Sequence, residues 1–166
     1  LILVRSRGAI FKSILKKLKQ HDLPIAGSDR LLLLNELAIR DIISLLKFLD
    51  NTSDDLSLAE ALRSPLLGLS ESDLFKISFN RSSTLYDSLT LNLPKHEASY
   101  IILDLVQEAQ ETAPYELIEK ILINHRGRLR MGARLGESVN DVLDEFLLQA
   151  LIYEDLEPPC LRGFLD

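Results

Sequence analysis

Residues 39–74 constrain the fold more than any other part of this chain. Ile39, Ile42, Ile43, Leu46 and Leu49 recur at helical spacing and make one apolar face. Arg40, Asp41, Ser44 and Lys47 lie mostly on the other side. Residues 51–55, Asn-Thr-Ser-Asp-Asp, interrupt with turn formers, and either Asp54 or Asp55 is placed to cap a short second helix. Pro65 stops that helix, because the residue before a proline avoids the α region. Gly68 then allows a turn that a side chain would hinder. Ser70 stands at an N-cap, with Asp73 at the third helical position, a capping box with Asp in place of Glu. The stretch therefore reads as helix, acidic cap, helix, proline-broken turn, helix.

The rest of the chain extends this pattern. Short strands are expected at Leu1–Val4 and Pro24–Gly27, around a helix over 8–20 whose Lys12, Lys16, Lys17 and Lys19 form an outward row. The apolar run Leu31–Leu34 is either core or a surface for a missing neighbour. Asn35 is the expected cap of the helix that follows. Further helices are predicted over 82–91, from Pro94 to about Glu111, from Pro114 to near Asn124, over 136–154 and over 161–166. In the helix after Pro94, the apolar side is expected to consist of Tyr100, Ile101, Leu103, Leu105 and Val106. The fold class is mainly α, a multi-helix domain with a small β piece at the N-terminus. With 166 residues, 46% of them hydrophobic, one domain with a real core is expected. The chain opens inside an apolar run without Met and closes inside a helical pattern, which suggests an excerpt from a larger protein. The short run Leu1–Val4, followed by Arg5 and Arg7, does not read as a secretory leader. One Cys excludes an internal disulfide and fits a reducing, cytoplasmic setting.

Several chemistries are missing from the sequence. No Gly precedes Lys, so there is no phosphate-cradling Walker loop. No carboxylate–x–Lys triplet, no G-x-S-x-G elbow and no Cys-rich metal spacing occurs, and the three histidines are far apart. Asp144-Glu145 lies within an amphipathic helix, where an acidic pair does not make a magnesium site. No catalytic, cofactor or metal site is expected. Two features suggest binding. The turn Pro65–Ser72 feeds a helix start, where free amides and the helix dipole favour a phosphate, and Ser70 and Ser72 add hydroxyls; the plain alternative is a helix cap with no ligand. Arg126, Arg128, Arg130 and Arg134 crowd one short run broken by Gly127 and Gly132, and need anions: carboxylates of the fold such as Asp144 or Glu145, or phosphates. A formal charge of −6 confines any nucleic-acid contact to such local patches.

The order of these motifs resembles a known family. Ile39-Arg40-Asp41, the apolar helix, Asp54-Asp55, the short helix and Ser64-Pro65-Leu66-Leu67-Gly68-Leu69-Ser70 are similar to the 2B subdomain of superfamily 1 DNA helicases of the UvrD/Rep/RecB kind. Leu3–Arg7 and Pro24–Gly27 resemble strands of the adjoining 2A motor domain, although Asp22-Leu23 stands where that family has Gly-Ile. The form of the Pro65 turn and Pro158–Asp166 look most like the AddA-like helicase–nuclease subunits of double-strand-break repair. The resemblance implies residues 1–34 as a piece of 2A and 35–166 as a helical 2B-like domain. It implies that Gly68, Leu69, Ser70 and Ser72, with Arg126, Arg128 and Arg130, contact duplex DNA weakly and without sequence preference. ATP and magnesium are implied for the parent protein but not for this segment, together with the rest of the motor and an AddB-like partner subunit. The alternative is a helical protein-interaction module that touches no DNA.

Overall fold

The computed structural model describes residues 33–166, together with Ser13, Ile14 and Lys17. The strands expected at 1–4 and 24–27, and most of the helix expected over 8–20, lie outside the described residues. Among the described residues there are nine helices and no strand: α1 (Leu37–Asp50), α2 (Asp55–Arg63), α3 (Glu71–Ser78), α4 (Leu85–Asn92), α5 (Glu97–Glu108), α6 (Pro114–Leu122), α7 (Gly127–Leu135), α8 (Val139–Leu156) and α9 (Leu161–Leu165).

Helix α1 is the axis of the core. Ile39, Ile42, Leu45, Leu46 and Phe48 are fully buried, and the helix packs against α2, α8 and α9. Each such side chain removed from water contributes about 1.5–3 kcal/mol. The N-cap of α1 is Glu36, not the expected Asn35. Leu33 is buried and its carbonyl takes the Glu36 amide at 2.9 Å, so a turn occupies Asn35 and the helix begins beyond it. Leu34 is half exposed, so the apolar run 31–34 is divided at its end between core and surface.

The turn from α1 to α2 resolves the two candidate caps. Asp54 caps α2, accepting the Ser57 amide at 3.0 Å and its hydroxyl at 2.6 Å. These hydrogen bonds hold its carboxyl below the usual range. Asp55 instead ties α2 to the start of α4, accepting the Leu85 amide at 2.7 Å and pairing with Arg81 at 2.6 Å. Helix α2 ends at Arg63, and Ser64 is extended (ψ 163°), as Pro65 requires.

One predicted helix start and one predicted break are corrected. The helix expected from Pro94 begins at Glu97, because His96 caps it through Nδ1, which accepts the Ala98 amide at 3.1 Å. Its buried face is Ala98, Ile101, Ile102 and Leu105, whereas Tyr100 and Leu103 are exposed. The arginine run, read as a Gly-broken cluster, forms helix α7. A Cβ at Gly127 would stand 2.6 Å from the Ile121 carbonyl oxygen and 2.9 Å from a Leu66 methyl, so this glycine is a close-packing point and not a break. Pro114 opens α6 at its first position, as expected.

Candidate nucleic-acid interface

The turn into α3 is braced from three sides. Its apolar residues Leu66, Leu67 and Leu69 are buried, which pins the backbone between α2 and α3. The Gly68 amide donates to the Ser64 carbonyl and the Leu69 amide to the Leu62 carbonyl, both at 2.8 Å. Arg63, the last residue of α2, donates to the Leu69 carbonyl at 2.6 Å. Gly68 has φ +63°, a left-handed conformation that side chains disfavour, and open space where a Cβ would point.

Helix α3 starts from this brace. Ser70 Oγ accepts the Asp73 amide at 3.1 Å and its hydroxyl donates to Asp73 Oδ2 at 2.6 Å, with Ser72 Oγ 2.9 Å away. Half of the capping box is therefore formed: Ser70 caps the Asp73 amide, while the Asp73 carboxylate takes the Ser70 hydroxyl in place of the Ser70 amide. The Glu71 and Ser72 amides have no protein acceptor among the described residues and are the donors left for a ligand. The Gly68 and Leu69 amides are already engaged, and the Leu69 side chain is in the core.

Charge around the helix start is balanced. Lys76 bonds Asp73 at 2.8 Å, Arg63 lies 3.4 Å from Glu71, and Arg130 pairs with Glu97. The Lys76 hydrogen bond, and then that from Ser70, keep the Asp73 carboxyl below its ordinary range. A phosphate here meets free amides and a helix dipole, but also two carboxylates in the first turn.

The arginine run divides. Arg130 donates to the Leu66 carbonyl at 3.2 Å, which brings α7 to the braced turn from the other side. Arg128 bonds Asp144 at 2.5 Å, one of the internal carboxylates anticipated for it. Arg126 has φ 58°, is exposed and pairs with no carboxylate among the described residues. Arg134 is exposed, and its charge reaches Asp41 of α1. So the fold joins the Pro65–Ser72 turn to Arg130, while Arg126 and Arg128 line a separate cleft with Leu129, Ala133 and Glu137. Two features escaped the reading of the sequence. One is Arg63 as the brace of the turn. The other is an exposed, stacked pair, Phe75 and Phe79, with ring centres 5.1 Å apart on the outer side of α3. Their spacing of four residues on a helix was the available signal. Among the described residues no group of three or more His, Cys, Asp or Glu is placed to hold a metal ion, and no helix is long and apolar enough to cross a membrane.

No protein-family model matches the chain. Curated proteins do. Over 91 residues, 54% of the chain, it is 33% identical to the A subunit of the ATP-dependent helicase/nuclease of Exiguobacterium sibiricum. Over that stretch the chain is similar to AddA-type subunits. Over 124 residues, 74% of its length, it is 27% identical to the protein of the same name from Limosilactobacillus reuteri. It is 34% identical over 110 residues to the exonuclease/helicase subunit RexA of Lactococcus lactis. The matches span only 8–9% of these relatives' lengths, so the similarity concerns a small segment of them.

Proposed function

We propose that this AddA-like segment is a non-catalytic, 2B-like accessory region of an ATP-dependent helicase–exonuclease of double-strand-break repair, and that it steadies duplex DNA ahead of the fork through the start of α3. In this reading residues 35–166 are the accessory domain and 1–34 a piece of the 2A motor domain. The parent acts in the cytoplasm with an AddB-like partner subunit. The sites for ATP and magnesium lie elsewhere in it, since this chain has no Walker loop. The observation that supports DNA contact is the braced turn, which aims the free Glu71 and Ser72 amides outward beside the Ser70 and Ser72 hydroxyls, with Arg130 reaching the same turn. Gly68 and Leu69 shape the turn, and their amides, bonded within the fold, do not donate to the DNA. Arg128 contributes charge only by exchanging Asp144 for phosphate, and Arg126 belongs to the neighbouring cleft.

The balanced charge makes the contact weak. Few counterions are released, and the net acidic chain repels DNA at long range, so a dissociation constant of roughly 10⁻⁴ M or weaker at physiological salt is expected. The test is a low-salt titration of labelled duplex against wild type, Ser70→Ala, Gly68→Val and an Arg128→Glu control. Ser70→Ala should cost about 1 kcal/mol of stability and also weaken binding. If both turn variants remain folded and bind as wild type does, the turn is only a helix cap and the DNA contact is withdrawn.

A further inference from the structure

The side of α7 that borders α8 carries a second surface. Ile123 is 57% exposed and Leu129 69% exposed. With Leu122 and Ala133 they line an open cleft between the end of α6, α7 and the start of α8. Adjacent large aliphatic side chains differ from the scattered single apolar residues of an ordinary surface. Arg128 also lines the cleft but is paired with Asp144, so the charges left unpaired among the described residues run along the cleft in one sense. Arg126 stands at the N-terminal end of α7 with no carboxylate partner among the described residues, and the first turn of α7 contains no acid. Glu137 stands at the other end, past the helix C-terminus. The helix dipole has the same sense, positive at Arg126 and negative toward Glu137.

We propose that this cleft docks a short segment of a protein partner, with an aliphatic side chain seated between Ile123 and Leu129, an acidic residue at Arg126 and a basic or neutral one at Glu137. Charge complementarity sets both the partner's composition and its direction. Nucleic acid fits the cleft poorly. A phosphate backbone offers the two aliphatic side chains no apolar surface, and no aromatic ring lines the cleft to stack on a base. The surface does not depend on whether α3 touches DNA.

The test selects displayed random short peptides on the intact chain, then measures the enriched peptides by fluorescence anisotropy and by chemical-shift mapping. Enrichment of peptides pairing an acidic with an aliphatic residue, with shifts gathered at Ile123, Leu129 and Gly132, is expected. Leu129→Ser and Arg126→Glu should each weaken their binding by about tenfold or more while leaving the circular dichroism spectrum unchanged. Reversing the acid of the peptide to lysine should restore binding to Arg126→Glu. Failure to enrich any peptide over the Leu129→Ser variant, enrichment without an acid, or shifts elsewhere would overturn the proposal. So would a DNA duplex that moves the same resonances more strongly than the peptides.

Discussion

At the scale of single residues, Asp41 is an acid that the fold leaves poorly solvated. It is half-buried on α1, and burial pushes its carboxyl from 3.8 up to about 6; Arg40 and Arg134 oppose the rise and Glu60 adds to it. Between about pH 4 and 6 the folded state therefore holds a proton there that the unfolded chain has lost. Stability contributed by this group is intact below about pH 4, falls as pH rises through 4 to 6, and is at its lowest above 6. Asp41→Asn removes the ionisation. It should stabilise the protein at pH 7.5 by about 1 kcal/mol once solvent screening is allowed for, with the gain vanishing near pH 4. Thermal melts of both proteins across that range check this. A gain of equal size at both pH values would show that charge is not its source.

At the scale of elements, α7 offers a matched pair of glycines. Gly127 is buried against the Ile121 carbonyl, whereas Gly132 has nothing within 4 Å of a Cβ position. Gly132→Ala should stabilise the helix by about 1 kcal/mol through propensity alone. Gly127→Ala should destabilise by about 1–3 kcal/mol, because a backbone oxygen must move to admit the methyl group. Denaturant titrations of the two variants should shift in opposite directions. A shared shift would mean that α7 is not seated against the end of α6 as described.

At the scale of the whole molecule, one apolar cluster runs from Leu33 to Phe164, and every one of the nine described helices contributes to it. Phe48 sits fully buried within it, with its ring centre 5.7 Å from that of Tyr86 on α4. Phe48→Ala should cost about 3–5 kcal/mol, by lost transfer energy and an unfilled cavity. The loss should appear as a lower midpoint in a single transition, with helical signal and near-ultraviolet tyrosine signal melting together. Separate transitions for the two signals would show that the helices around α1 unfold apart from the others.

Much of this was legible in the chain. The stripe on α1 from Ile39 to Leu49, the stop at Pro65, the cap at Ser70 and the opening of α6 at Pro114 all depend on neighbours a few residues away, and each is where the sequence places it. The exception lies within the stripe: Ser44, read as facing outward, is buried and donates to Glu60 of α2, while Ile43 is only partly buried. The order of those motifs by itself carries the resemblance to AddA-type subunits. Tertiary structure decided what local rules leave open. Gly127 lets α7 approach the Ile121 carbonyl and Leu66 more closely than any side chain would allow, which no helix propensity expresses. Asp55 became a cross-link to α4 and not a cap because Leu85 and Arg81, some thirty residues on, arrive beside it. The four arginines looked like one basic patch because charges add along a sequence; in space Arg128 and Arg130 meet Asp144 and Glu97, and Arg126, beside Ile123 and Leu129, meets no carboxylate among the described residues. Spacing along the chain determines which face a side chain shares, but which opposite charge lies across from it is set by the packing of distant helices.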